Sequence, residues 1–151
     1  MTTSVPYHLD ENFQYTGFWA RFGATLIDTV LILFIIYPIL ISMHGFEALA
    51  TNAFTSGPID WLLNWVFPVI GIIAFWLYRQ ATPGKMAISA KIVDAKTGEK
   101  PSPQQCIVRY LGYYVSTIPL CLGLLWVAWD PKKQGWHDKL AGTVVISPRK
   151  G

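Results

Sequence analysis

The segment GFWARFGATLIDTVLILFIIYPILI, residues 17–41, is apolar enough to cross a bilayer, yet it carries an arginine and an aspartate. Arg21 and Asp28 are seven residues apart, which on an α-helix brings them within about 20° of alignment. Thr25 lies between them on the same face. A charged side chain near the bilayer centre costs roughly 3 kcal/mol, so this polar face must contact protein, water or a counter-charge. We therefore expect functional residues on this helix.

The composition favours an integral membrane protein. Hydrophobic residues make up 52% of the chain and charged residues 14%, against about 25% charged in a typical soluble domain. Three apolar segments reach or approach the roughly 20 residues that span a hydrocarbon core: residues 18–41, 59–78 and 107–129. The predicted fold class is all-α integral membrane, organised as a polar tail (1–16), a membrane domain (17–147) and a second tail (148–151).

Several function classes are disfavoured by the same sequence. The net charge of +3 is too small to indicate nucleic-acid binding, because basic residues beside membrane segments usually set topology. Cys106 and Cys121 lack the spacing of a metal site. No catalytic triad, zinc-protease motif or phosphate-binding loop is present. We expect no enzymatic activity, no cofactor, no bound metal and no nucleic-acid partner, and we expect the lipid bilayer as surroundings.

The second apolar segment, IDWLLNWVFPVIGIIAFWLY (59–78), has a polar and small-residue stripe of its own. Asn64, Pro68 and Gly71 follow one another at helical spacing. Pro68 has no N–H, so the Asn64 carbonyl loses its usual donor. Such stripes commonly mark contact with another helix. A water-lined or cation-coordinating site is the alternative, because freed carbonyls are ligands for hard cations.

The charged residues between the apolar segments predict the orientation. Residues 79–104 contain five Lys or Arg, whereas residues 42–58 contain none. The positive-inside rule therefore places the 79–104 segment and the N-terminus in the cytoplasm and the 42–58 loop outside. Within and after this region, KMAISAKIVD (85–94) and GTVVISP (142–148) are typical of β-strands. We predict that they pair in a small cytoplasmic sheet at the membrane surface.

The third apolar segment can cross the membrane once or return to the side from which it came. A single crossing would place five basic residues outside, against the positive-inside rule: Lys132, Lys133, Lys139, Arg149 and Lys150. Pro119 interrupts the segment, and Arg109 heads a polar stripe on its first half. We favour a shallow, Pro-broken hairpin, which keeps the C-terminus cytoplasmic; a plain third span is the alternative.

Three blocks of the sequence together resemble the RDD family of small bacterial and archaeal membrane proteins, named for one arginine and two aspartates. They are GFWARFGATLID (17–28), ATPGKMAISAKIVDAKTGEKPS (81–102) and DPKKQGWHDKLAGTVVI (130–146). The similarity runs from about residue 16 to residue 147. By this resemblance Arg21 is the arginine, Asp28 the first aspartate and Asp138 the second. Asp130 is the alternative for the second aspartate.

The resemblance implies a multi-pass protein of the bacterial or archaeal cytoplasmic (inner) membrane with a transport-related role. Some family members are reported to exchange Na⁺ or another monovalent cation for H⁺. A chain with two or three spans would need to form a homo-oligomer to enclose a path. The alternative function is a membrane adaptor or assembly factor that docks a protein partner without transport.

Four residues are the main candidates for these roles. Asp28 would lie near the bilayer midplane, where desolvation raises and a nearby arginine lowers a carboxyl pKa, so that it could exchange H⁺ for Na⁺. We expect Arg21 to be its electrostatic partner. Asp138 lies in a polar segment that is expected to be exposed, although Arg21 and Arg109 could hold it by charge-assisted bonds. His137 is expected to titrate near neutral pH and could relay protons. A structural role is the alternative for each.

The predicted orientation can be tested with reporter fusions. A reporter fused after Gly151 and one inserted in the 94–100 turn should both report a cytoplasmic location, because the basic residues retain both segments inside. The measurement is the activity of a reporter pair that distinguishes cytoplasm from periplasm. A periplasmic signal at the C-terminus would reject the hairpin and favour three plain spans.

Overall fold

The helices and strands below come from a computed structural model that describes residues 11–47 and 57–149. The beginning of the predicted N-terminal tail (1–10), the middle of the predicted extracytoplasmic loop (48–56) and the last two residues lie outside this part. The elements in chain order are β1 (Phe13–Tyr15), α1 (Phe18–His44), α2 (Pro58–Trp61), a π-helical turn (Leu62–Val66), α3 (Phe67–Arg79), α4 (Pro83–Ala87), β2 (Lys91–Asp94), α5 (Pro103–Thr117), α6 (Leu122–Leu125), a 3₁₀ turn (Trp126–Ala128), α7 (Trp136–Ala141) and β3 (Thr143–Pro148).

Within the described residues, two helical regions are by themselves long and apolar enough to cross a membrane. They are α1, with a mean hydropathy of 2.4, and the region Pro58–Ala87, with a mean hydropathy of 1.7. In the second region the π-helical turn directly precedes Pro68, and the N–H of Phe67 bonds to the carbonyl of Leu62 five residues back. This wider turn is a way to adjust a helix whose ladder a proline interrupts. The first two predicted membrane segments therefore correspond to helices in the structure.

The third apolar segment is a bent pair of helices. The regions Pro103–Thr117 and Leu122–Ala128 meet at an angle of 112°, and Pro119 lies in the break, as the sequence predicts. A straight third helix is therefore not formed. The chain leaves β2 before this pair and returns to the same sheet in β3 after it, so the segments before and after the bent pair belong to one sheet.

The sheet has three antiparallel strands in the order β1-β3-β2. Ile92 lies opposite Val145, so the predicted pairing of the two β-branched segments is confirmed. Two expectations differ from the structure. Residues 13–15 form a strand inside the predicted polar tail, and the predicted strand from residue 85 begins only at Lys91. The residues before it form α4 because Thr82 is an N-cap and Pro83 occupies the first helical turn.

The sheet packs against the helices with one face. Ile92 and Val145 share a buried cluster with Trp76 of α3 and Cys106 of α5. On the other face Val93, Val144 and Ile146 pack against Phe13, Tyr15 and Ala95. Both faces of the central strand are thus covered, which explains why its sequence, TVVI, is continuously apolar or β-branched. The sheet fixes the ends of α3 and α5 beside each other.

The register predicts a specific disulfide. The N–H and carbonyl of Ile92 both bond to Gln80, and the carbonyl of Val145 accepts from Thr16 on the other side. Ile92 and Val145 are therefore a non-hydrogen-bonded pair, in which side chains approach most closely. In a background without Cys106 and Cys121, Ile92→Cys combined with Val145→Cys should form a disulfide in membranes. The two thiols of this variant should then resist alkylation until a reductant is added, which is the measurement.

The matched control is Ile92→Cys combined with Val144→Cys. Val144 points to the opposite face of the sheet, because successive side chains of a strand alternate, so this pair should stay reduced. Equal crosslinking of both pairs would contradict the register.

Candidate functional site

The centre of the site is the fully buried carboxylate of Asp138. Its Oδ2 accepts a bond of 2.5 Å from Nη1 of Arg21, and its Oδ1 accepts one from Nη1 of Arg109. The N–H of Gly135 donates to the same Oδ2 over 3.0 Å and so caps α7. The expectation that Arg21 and Arg109 hold Asp138 by charge-assisted bonds is confirmed. The expectation that Asp138 lies in an exposed segment is wrong, since its side chain is 0% exposed.

All three guanidinium nitrogens of Arg21 donate hydrogen bonds, and these bonds join separate parts of the chain. Besides the bond to Asp138, its Nε donates to the carbonyl of Thr16 over 3.0 Å and its Nη2 to the carbonyl of Lys133 over 2.6 Å. Arg21 therefore forms no ion pair with Asp28, in agreement with the roughly 10 Å that separates them along the helix, so any electrostatic coupling of the two is indirect. Thr25 does not connect them either, because its hydroxyl donates to the carbonyl of Arg21 in its own helix.

Arg109 lies between the carboxylate and two aromatic rings. Its Nη1 also donates to the hydroxyl of Thr143 over 2.7 Å. Its guanidinium carbon lies 5.2 Å from the ring centre of Trp76 and 5.9 Å from that of Tyr113. Rings at this distance stabilise a desolvated cation through their π faces. Arg109, which is 1% exposed, is thus paired with the Asp138 carboxylate and flanked by aromatic rings.

Two groups in α7 titrate far from their usual ranges. Burial by itself would raise the pKa of Asp138, but the guanidinium groups of Arg109 and Arg21 outweigh it and hold this pKa well below its usual range. Burial lowers the pKa of His137 to about 3, although Asp138 opposes the shift. The expectation of a surface imidazole that titrates near neutral pH is wrong. His137 is 3% exposed and stacks on Tyr113 with ring centres 4.0 Å apart.

Asp28 binds the start of α4. Its Oδ2 accepts a bond of 2.5 Å from the hydroxyl of Thr82, and its Oδ1 accepts one of 2.6 Å from the N–H of Gly84. A carboxylate at this place satisfies a free N–H and complements the helix dipole. Gly84 has to be a glycine, because an added Cβ would lie 1.9 Å from the carbonyl oxygen of Ala24 in α1.

A cavity of about 600 Å³ lies between α1, α3, α4 and α5. Asp28 and Lys85 bring charge to its wall, and Thr25, Thr82 and Tyr113 bring hydroxyl groups. The rest of the wall is mainly aliphatic and aromatic. Its volume is in the range of about 300–1,000 Å³ that is typical of small-molecule sites. Asp28 is therefore the acid of the described chain that faces this cavity.

Two other predicted residues, Asn64 and Asp130, do not line the cavity. Asn64 donates to the carbonyl of Asp60 within its own helix, whereas its stripe partners Pro68 and Gly71 line the cavity wall. Asp130 accepts the N–H groups of Lys132 and Gln134 and so shapes the loop before α7.

Sequence reasoning missed the position of Lys85, which was placed at the start of a predicted strand. It is 6% exposed and lies in the cavity wall. The pair Thr82-Pro83 was a usable signal, since a Thr N-cap followed by proline predicts a helix start. Helical spacing placed Tyr113 beside Arg109 on one polar stripe, but no comparable signal in the sequence marked Trp76 as a neighbour of Arg109.

Comparisons with known proteins place this arrangement among membrane proteins. The family model described as RDD family matches residues 15–142. The Bacillus subtilis "Uncharacterized membrane protein YteJ" is 31% identical over 137 residues, which cover 87% of this chain and 80% of YteJ. "Uncharacterized protein YxaI" of the same organism is 31% identical over 147 residues, with 86% and 95% covered.

A third relative is similar over a shorter region. An uncharacterized protein of Rickettsia prowazekii is 45% identical over 74 residues, which cover 49% of this chain. The chain matches only 40% of the length of that relative. No solved structure is significantly similar.

The buried imidazole predicts an acid-sensitive fold. Because the folded-state pKa of His137 is lowered to about 3, its stabilising contribution is present above the ordinary value of about 6.5 and is lost as the pH falls towards 3. The free energy of unfolding should fall by up to about 1.4 kcal/mol per pH unit in this range. His137→Gln removes this titration, so its melting temperature in detergent should decline less between pH 6.5 and 4.5. An equal decline in both proteins would contradict the assignment.

Proposed function

The chain belongs to the RDD family of membrane proteins, and we propose that it is transport-related, with Asp28 as the group that binds H⁺ or a monovalent cation such as Na⁺. The observation that carries the proposal is the position of this carboxylate on the wall of the cavity between the two candidate spans. Asp28 is ten residues into α1, about 15 Å from the start of the helix. In an inserted α1 this depth is close to the bilayer midplane.

The hydrogen bonds of Asp28 leave capacity for a proton or a cation. A carboxylate offers about four acceptor sites, and Thr82 and Gly84 occupy two of them. On protonation of Oδ2, the Thr82 hydroxyl can rotate and accept the new bond, since a hydroxyl both donates and accepts. The Gly84 N–H keeps its bond to Oδ1. Both protonation states therefore fit the same backbone.

The proposed orientation follows from the sheet and the basic residues. β1 precedes the first span, β2 follows the second and β3 follows the bent pair, and all three strands belong to one sheet. If the two spans cross the bilayer, the sheet and both ends of the described chain lie on one side. The positive-inside rule favours the cytoplasm for that side, and the bent pair then acts as the predicted hairpin in an inner membrane.

The two candidate spans and the bent pair enclose only part of the cavity. We therefore propose that a homo-oligomer closes the transport path. The adaptor function is the competing proposal. It requires no flux and no chemical role for Asp28, so the experiment below separates the two.

The test is cation-dependent proton flux in proteoliposomes, followed with an internal pH dye after addition of Na⁺ or K⁺. Asp28→Asn should abolish flux, because an amide cannot release a proton at neutral pH. The variant should still fold: the Asn carbonyl can accept from Gly84 and its NH₂ can donate to Thr82, so both native hydrogen bonds have counterparts.

Glu99→Gln is the matched control, because it removes one negative charge from an exposed position outside the cavity. It should leave flux unchanged. Normal flux in a folded Asp28→Asn variant would reject Asp28 as the carrier. Absence of flux in the wild-type protein for all monovalent cations tried would favour the adaptor.

A further inference from the structure

Lys85 carries a charge for which the described chain supplies no direct partner. The side chain is 94% buried, since only 6% of the residue is exposed, and it lines the cavity. No hydrogen bond or ion pair joins its ammonium to another described residue. Burial disfavours the charged form of this ammonium. Asp28 is near enough to oppose that effect, but its two oxygens accept hydrogen bonds from Thr82 and Gly84 instead. An ammonium has three N–H donors, and leaving them unused in a buried site is costly.

The buried charges around the cavity and the Asp138 cluster do not balance. The cations are Arg21, Arg109 and Lys85, and the anions are Asp28 and Asp138. Asp138 is shared by the two arginines, and His137 is neutral at pH 7 because burial lowers its pKa to about 3. One positive charge is therefore left over, and the one without direct contacts to a carboxylate is Lys85.

The cavity beyond Lys85 is suited to an apolar chain. Its wall along α1 continues from Asp28 to Ile36, a distance of about 12 Å on a helix, which is the length of a medium acyl chain. The opposite wall consists of apolar side chains of α3: Phe67, Ile72, Phe75 and Trp76.

We propose that the cavity binds a singly charged anion carried on one apolar chain, with the anion on Lys85 and the chain between α1 and α3. This goes beyond the proposed transport at Asp28 and does not depend on it. The charge of the ligand would balance the surplus cation, and its anionic oxygen atoms would accept hydrogen bonds from the Lys85 ammonium. A chain of this kind can come from a free fatty acid or from a single-chain phospholipid of the membrane.

The test uses decanoate and the full chain in phosphatidylcholine nanodiscs. Decanoate should bind saturably in isothermal titration and raise the melting temperature. Decanol and decyltrimethylammonium have the same chain without a negative charge, so neither should bind at the same concentrations. Equal binding of the three compounds would overturn the proposal, because it would show partitioning into an apolar space. Lysophosphatidylglycerol, a single-chain phospholipid, should displace decanoate if the membrane is the source and fail to displace it if free fatty acid is the ligand.

Variants separate the role of Lys85 from effects on folding. Lys85→Met should weaken decanoate binding by about tenfold or more, since a bond to a charged group is lost, and should not lower the melting temperature of the unliganded protein. Lys85→Arg should retain binding, and Lys91→Met, at an exposed lysine of β2, should leave it unchanged. Unchanged binding in Lys85→Met would overturn the proposal, as would a loss of equal size in Lys91→Met.

The same measurements distinguish this proposal from transport at Asp28. Asp28→Asn removes a negative charge beside the ammonium, so decanoate binding should stay equal or become tighter while flux is lost. Loss of decanoate binding in a folded Asp28→Asn variant would contradict the assignment of the anion to Lys85.

Discussion

The structure depends on one carboxylate that binds two buried guanidinium groups. Asp138 of α7 binds Arg21 of α1 and Arg109 of α5, and Arg109 continues the contact to Thr143 in β3. Buried ion pairs of this kind add little net stability when complete, but removing one partner costs about 3–5 kcal/mol, because the remaining charge is left without compensation. Asp138 therefore specifies which elements meet: any arrangement that separates them leaves two buried cations unpaired.

The second polar contact, between Asp28 and the start of α4, depends on the first. Arg21 and Asp28 lie on the same helix, so fixing Arg21 on Asp138 also fixes the rotation of α1 that presents Asp28 to Thr82 and Gly84. The absence of a side chain at Gly84 lets the two backbones touch. The cavity thus has rigid polar groups at one end, held by hydrogen bonds, and apolar walls along the spans.

Local pattern predicted much of this arrangement. The length of the apolar segments predicted the two candidate spans, and Pro119 predicted the break in the third segment. The β-branched residues predicted the strands that pair at Ile92 and Val145. Helical spacing aligned Arg21 with Asp28, but seven residues separate them by about 10 Å along the axis. The contact of Arg21 with Asp138, 117 residues away, was suggested by the family motifs and not by local pattern. The segment around Asp138 looks exposed by composition because its counter-charges belong to other elements. Lys85 was missed although Thr82 and Pro83 mark the start of the helix that carries it.

The long separation of Arg21 and Asp138 also bears on biogenesis. Both arginines are synthesised before the aspartate, Arg109 by 29 residues, so the membrane helices form with two cations that still lack their anion. Water or lipid phosphate can solvate these cations until α7 has been synthesised. The contacts of Asp138 then replace that solvation, so the buried site is completed only after α1, α5 and α7 have all been made.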